Sequence, residues 1–227
     1  EQLYFEAGIE SEQIINNNYD CMAVAILPLA MMLGEDIEVK GSLDGRLYEN
    51  MLEAISLYAT WYPNLVSGIE VKADELRSFV SVGDKQKVMS FYSGGVDSLF
   101  NIAGRLSENL LPVDVCVLVR GMDISIEDEE LWEKVSGWEN MGMISVETNA
   151  RLFQPQGVDW TSTGFGPILG AISNFLSKGF SDSIIGSYGL YKDLEPHASG
   201  PLIDRLWSSG SIDIKHYSPR YSRLDKI

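Results

Sequence analysis

Cysteine is scarce in this chain. There are two, Cys21 and Cys116, with no C-x-x-C pair, so a cysteine-type metal centre is not available. Both thiols sit in apolar runs and are expected as buried core residues, a usage that fits a reducing compartment. Basic residues are also few. Seventeen Lys and Arg face 33 Asp and Glu, for a net charge of -16. Nucleic-acid binders carry a basic face, so this balance argues against DNA or tRNA as substrate. No apolar run is long enough to span a bilayer: the longest, Cys21 to Leu33, is short and holds Pro28. Nothing resembles a signal peptide, and a cytoplasmic protein without a membrane partner is expected. A G-x-S-x-G elbow is missing, which argues against a Ser-His-Asp hydrolase.

What is present suits a globular protein. Hydrophobic residues make up 45% and charged residues 22% of 227 residues, enough for a sizeable core in one large or two small domains. The most informative stretch runs from Lys87 to Leu110. Val88 to Tyr92 is a short apolar run suited to a buried strand. Ser93-Gly94-Gly95-Val96-Asp97-Ser98 is a turn. Leu99, Ile102, Ala103, Leu106 and Leu110 then recur at the spacing of one helix face, as in an amphipathic helix. Strand, glycine-rich turn and helix N-terminus make an anion site, because the glycines admit a ligand to the backbone N–H groups and the helix dipole adds attraction. Ser93 and Ser98 can donate hydroxyls, and Asp97 can hold a cation or cap the helix. No lysine follows Gly95, so this is not a Walker A loop.

Around this stretch the pattern alternates. Residues 1–82 read as a small α/β unit. In it, 2–7 suits a short strand and Asp20 an N-cap for a buried helix to Leu33, which Gly34 stops. Short strands are expected at 37–39 and 69–73, and Ser42 caps a helix that ends at Pro63. Residues 83–227 form the second unit, with the boundary at 81–86. Further strands are expected at 113–119, 143–147, 183–187 and 212–216. Helices are expected at 126–135, with Leu131 and Val135 inward, and at 167–176. Strands separated by helices predict a five-stranded parallel doubly wound sheet, with the ligand outside the carboxyl ends of its strands.

SGGVDS between strand and helix resembles the PP-loop of the ATP pyrophosphatases, the adenine nucleotide alpha-hydrolase-like (HUP-like) superfamily. The stretches EPHASGPLIDRLWSS and HYSPRYSRLDKI, with the N-terminal unit before the loop, are also similar to a bacterial group of PP-loop proteins with no assigned substrate. The resemblance implies ATP and Mg2+ as cofactors. It implies pyrophosphate held by Ser93, the Gly94 to Val96 amides and Ser98, with the metal at Asp97. It also places adenine against Gly121 and Met122. The reaction implied is attack of a substrate oxygen on the α-phosphorus of ATP with loss of pyrophosphate. A nitrogen or sulfur nucleophile then displaces AMP. In an acidic protein, ATP requires magnesium and a focused positive site. Arg223 and Lys226 are candidates for that role, with a solvated basic tail as the rival. His197 is a candidate general base, since imidazole titrates near neutral pH, or a structural residue. Arg205 and Lys192 are candidates for binding the small-molecule substrate, and Arg205 could instead pair with Asp204 or Glu195. The alternatives are a nucleotide-binding protein without catalysis, a tRNA-modifying ligase, and a relative of the adenylyl-sulfate reductases, against which the intact loop counts. A homo-oligomer is left open.

Overall fold

The computed structural model describes residues 2–78, 87–136 and 142–227. Its elements in order are β1 (Phe5–Ala7), a 3-10 turn at Ile9–Ile14, α1 (Asp20–Leu33), β2 (Ile37–Asp44), α2 (Gly45–Trp61) and β3 (Val71–Arg77). Then come β4 (Val88–Phe91), α3 (Val96–Ser107), β5 (Val115–Arg120), α4 (Glu129–Ser136), β6 (Met143–Thr148), α5 (Trp160–Thr163), α6 (Phe165–Phe175), β7 (Asp182–Gly186) and β8 (Asp213–Tyr217). The expected boundary at 81–86 lies outside the described residues.

This is a mixed α/β fold with a mostly parallel central sheet. The sheet has six strands in the order β1-β6-β5-β4-β7-β8. The five-stranded expectation is corrected by β1, which pairs antiparallel with β6, Phe5 opposite Thr148 and Ala7 opposite Val146. The physical reason is the edge of β6, whose backbone groups would otherwise be left unpaired. Tyr4 and Thr148 extend the seam, as the Thr148 hydroxyl donates to the Tyr4 carbonyl at 2.7 Å. Strands β4 to β8 are mutually parallel, and β2 and β3 form a separate parallel pair.

α3 packs on β4 and β7. α1 packs on α6. The apolar residues of α1, α2, β2 and β3 share one core with Ala171, Ile185, Trp207 and Ile214 of the sheet's own layers. α1 is apolar nearly all round, as a helix buried on several sides requires. Gly34 ends it in the left-handed region at φ 68°, its N–H reaching the carbonyls of Ala30 and Met31.

Three local expectations are corrected. Asp20 is not an N-cap: it lies inside the first turn of α1, buried, and accepts from the Asp44 N–H at 3.0 Å, Asn18 Nδ2 at 2.6 Å and Arg77 Nη2 at 2.5 Å. Burial pushes its carboxyl up, against the pull of those donors. Ser42 does not cap α2, because β2 continues through it and Asp44 takes the role, accepting from the Leu47 N–H at 3.0 Å. Leu131 of α4 is exposed, and Val135 is only half-buried.

α3 is oriented by its polar residues. Its apolar stripe points outward, with Leu99, Leu106 and Leu110 at 44%, 58% and 43% exposure. The buried face is Ser98, Asn101, Gly104 and Arg105. The polar face goes in because it finds partners there. Arg105 Nε donates to the Leu111 carbonyl at 3.0 Å, its guanidinium covers the Tyr217 ring, and Asn101 reaches the Ser90 hydroxyl on β4.

Asp44 makes a direct test of the shared core. Its Oδ1 accepts from both the Leu47 N–H and the Gly210 N–H, the latter at 2.9 Å. Losing a cap costs about 1 kcal/mol, and a stranded buried N–H about 1–3 kcal/mol more. Asp44→Ala is expected to lower unfolding stability by about 2–4 kcal/mol in a urea titration, with the slope unchanged. Ser42→Ala is expected to cost clearly less.

Candidate functional site

β4 is the middle of the parallel strands, with β5 on one side and β7 on the other. The chain order reverses direction across it, so its carboxyl end is the topological switch point of the sheet. The Ser93 to Ser98 turn leaves from that end. Gly94 takes φ 74°, a left-handed backbone that favours glycine. Gly95 occupies the N-cap of α3 and brings no capping side chain. The N–H groups of the helix's first turn have no intrahelical acceptor. The Ser98 hydroxyl donates to the Gly95 carbonyl at 2.9 Å, which fixes the turn, while Ser93 is exposed.

A cavity of about 380 Å3 opens over this turn. Ser93, Asp97 and Ser98 line one part of it. Val117 to Val119, Met122, Asp123 and Ile124 line the β5 side, Ile185 and Gly186 the β7 side, and Trp160, Phe165 and Tyr188 an aromatic wall. Gly121 sits behind Met122 at φ 94°. A Cβ there would meet the Thr148 carbonyl oxygen at 1.8 Å, so only glycine lets the ends of β5 and β6 come this close. Arg151 Nη1 donates to the Met122 carbonyl at 2.5 Å and holds the loop.

Asp97, Arg223 and Lys226 are brought together. Lys226 Nζ donates to Asp97 Oδ1 at 2.7 Å and also to the Ser187 carbonyl oxygen after β7, and its side chain has no solvent exposure. Arg223 Nη2 approaches Asp97 Oδ2 at 3.2 Å and is 70% exposed. The last residues are therefore not a solvated tail. They run along α3 as a strap. Phe100 packs on Tyr217 and Tyr221, and Glu108 accepts from the Tyr217 hydroxyl at 2.9 Å and the Tyr221 hydroxyl at 2.6 Å, and pairs with Arg220. Beneath the turn, Asn101 joins three elements. With its amide oriented to satisfy its neighbours, it donates to the Asp97 carbonyl at 3.2 Å and accepts from the Gly186 N–H at 3.3 Å and the Ser90 hydroxyl.

The other candidates lie elsewhere. His197 is half-buried outside the cavity lining, behind the aromatic wall. Its ring centroid is 4.4 Å from that of Tyr188 and 5.4 Å from that of Phe165, and its Nδ1 is 3.0 Å from the Ser199 carbonyl oxygen. Arg205 points away from the cavity and pairs with Glu53 at 2.6 Å, rather than with Asp204 or Glu195. Asp204 is taken by the Ser199 hydroxyl and by His216 Nδ1 at 2.6 Å. Lys192 is exposed on the loop after β7 and does not line the cavity. Both cysteines are buried, and burial pushes the Cys21 thiol up to about 11. The aromatic wall was not anticipated. Trp160 opens the four-residue α5 and Phe165 opens α6, both at the end of a polar stretch with no apolar periodicity to mark it.

Among the described residues no group of three or more His, Cys, Asp or Glu side chains could hold a metal ion by itself. Asp97 alone could offer a magnesium ion one carboxylate, which suffices when the remaining ligands are phosphate oxygens and water. In the arrangement described, both of its oxygens already face cations.

The strap carries a pH test. The Tyr221 hydroxyl foremost, then Arg220 and Tyr217, hold the Glu108 carboxyl below its ordinary value of 4.5. Because the folded value is the lower one, the clamp contributes fully above pH 4.5 and is lost as pH falls through that lower value. Hydrogen-exchange protection at residues 217–226, corrected for intrinsic rates, is expected to fall below pH 4.5. In Glu108→Gln it is expected to be weak already at neutral pH.

No family model, no curated protein and no solved structure matches this chain.

Proposed function

We propose that this chain is an ATP-dependent, AMP-forming enzyme of the PP-loop, HUP-like type, which activates an oxygen of a small molecule and releases pyrophosphate. The observation that carries this reading is the cluster of Lys226, Asp97 and Arg223 at the N-terminus of α3, beside a cavity at the switch point of the sheet. The loop brings no lysine of its own, and these two cations supply what it lacks.

The residues divide the work by position. The first-turn N–H groups of α3 and the Ser93 hydroxyl would receive the departing pyrophosphate, where the helix dipole favours negative charge. Lys226 and Arg223 would turn from Asp97 toward the phosphates. The field they focus offsets the repulsion from a chain of net charge -16. Asp97, released from its two partners, would then be free to hold magnesium, which would neutralise phosphate charge when bound. The apolar groups of Met122, Ile124 and Val119 suit the face of a purine, and Gly121 keeps the loop backbone near it. The aromatic wall excludes water from the other side, where the acceptor would sit. Catalysis on this reading is positioning and charge stabilisation, with no covalent step by the protein.

Titration calorimetry with Mg-ATP and with pyrophosphate tests the binding. Lys226→Met is expected to weaken both about ten-fold or more, the scale of one charge-assisted contact in a shielded site. Product analysis tests the reaction: turnover with the acceptor gives AMP and pyrophosphate, and Asp97→Ala abolishes it. Formation of ADP, or full activity in Asp97→Ala, overturns the proposal. Tight ATP binding without turnover against a panel of carboxylates, amides and carbonyls would favour a nucleotide-binding protein instead.

A further inference from the structure

The cavity over the glycine-rich turn has one wall to which the nucleotide reading gives no named ligand. On that reading the phosphates lie at the Ser93 to Ser98 turn and a purine lies on the β5 side. Trp160, Phe165 and Tyr188 are left to the acceptor. These three side chains are held by groups outside the cavity. The His197 ring packs on both Tyr188 and Phe165 and does not line the cavity; it lines a separate hollow of about 100 Å3. The Arg151 guanidinium lies 5.6 Å from the centroid of the Trp160 ring and is also off the lining. A Cβ at residue 164 would meet the Trp160 ring at 2.1 Å, so only glycine there leaves the indole its place. Aromatic side chains fixed in this way form a preorganised surface, on which a flat ring can pack without first having to order it.

The charge of the lining decides the rest. Among the described residues that line the cavity none is Lys, Arg or His, and the two that carry charge, Asp97 and Asp123, are both acidic. The cations of neighbouring segments are used elsewhere. Arg151 donates to the Met122 carbonyl oxygen, Arg120 pairs with Glu129 and Glu147, and Lys192 is exposed off the lining. Lys226 and Arg223 sit on Asp97 and, on the nucleotide reading, are taken by the phosphates. A carboxylate set against the aromatic wall would therefore lose water and gain no cation. It would also sit in the field of two acids and of a chain of net charge -16. The wall itself brings no acid, so it offers a cationic group no partner either. The polar groups it does bring are the hydroxyls of Thr161 and Tyr188, which suit a neutral carbonyl or amide.

We propose that the acceptor is a flat, uncharged aromatic compound, that the oxygen to be activated belongs to an amide or a ring carbonyl, and that the site selects against carboxylates. As an acceptor subsite the wall rests on the nucleotide reading; its preference for an uncharged ring rests on the lining alone.

Benzamide, benzoate, benzamidine and cyclohexanecarboxamide are the probes, titrated into the full chain by NMR at neutral pH. Each is used with and without magnesium and α,β-methylene-ATP, which cannot release pyrophosphate. Benzamide is expected to bind about ten-fold or more tightly than benzoate or benzamidine, the scale of one uncompensated charge in a partly shielded site. It is expected to bind about two- to ten-fold more tightly than cyclohexanecarboxamide, the ratio an aromatic contact carries. Tyr188→Leu is expected to remove most of that second preference. Thr161→Lys puts a cation on the wall at an exposed position and is expected to shift the ratio about ten-fold toward benzoate. The proposal is overturned if benzoate or benzamidine binds as tightly as benzamide, or if Thr161→Lys leaves the ratio unchanged. It is equally overturned if the nucleotide displaces benzamide competitively, since the nucleotide then occupies the wall. The two readings fail separately. Mg-ATP binding without saturable benzamide binding sinks the acceptor subsite alone, whereas benzamide binding without Mg-ATP binding sinks the nucleotide reading and the acceptor role with it.

Discussion

The ammonium group of Lys226 has no solvent exposure, and that constraint organises the functional end of the molecule. A buried ammonium is unfavourable unless it is both paired and hydrogen-bonded. Asp97 supplies the charge and the Ser187 carbonyl supplies a further acceptor, the first from the start of α3 after β4 and the second from the loop after the neighbouring β7. The last residues of the chain must therefore cross the carboxyl end of the sheet to reach them. Asp97 is well placed to receive the charge because it lies in the first turn of α3, where a carboxylate is favoured by the helix dipole. One ion pair thus joins the chain terminus, the glycine-rich turn and the loop after β7.

The same constraint explains the orientation of α3. A strap that carries Tyr217, Arg220 and Tyr221 along a helix needs polar and aromatic partners on it, and Phe100, Arg105 and Glu108 are those partners. With that flank and the sheet side occupied by Asn101 and Arg105, the leucine stripe is left to face solvent. Periodicity identified the helix correctly and gave its apolar face correctly. It could not say that the apolar face is outside, because that depends on a segment more than a hundred positions later in sequence.

The legible parts were those governed by local rules. An apolar run, two glycines and a helical period fix a strand, a turn and a helix without reference to the rest of the chain. β5 to β8 followed from the same kind of signal. The illegible parts all required a partner from far away. Asp44 rather than Ser42 caps α2 because Gly210 and Asp20 meet it there. β1 joins the sheet because the edge of β6 is open. Arg205 turns from its neighbours to Glu53 because the 3-10 turn at Asp204–Trp207 packs against α2. The surroundings of His197 were equally illegible, since its ring packs on Phe165 and Tyr188.

Charge and shape are divided between different parts of the site. The acidic balance of the chain is a property of its surface, whereas the two cations of the strap are held at one point by one carboxylate. The walls of the larger cavity are built differently. Gly121 holds the end of β5 against β6, where a Cβ would meet the Thr148 carbonyl oxygen at 1.8 Å, and Gly186 holds the end of β7 close to α3, where a Cβ would lie 3.1–3.2 Å from the Asn101 amide and the Asp97 carbonyl oxygen. Neither position brings a side chain to the cavity. The groups that can discriminate between ligands are then the side chains that project past them: Met122, Asp123 and Ile124 on one side, Trp160, Phe165 and Tyr188 on the other. On the nucleotide reading proposed above, the turn and the strap would hold the phosphates whatever they are attached to. Selection among such ligands would then fall to those two walls, and Trp160 lines both this cavity and a smaller one beside α1.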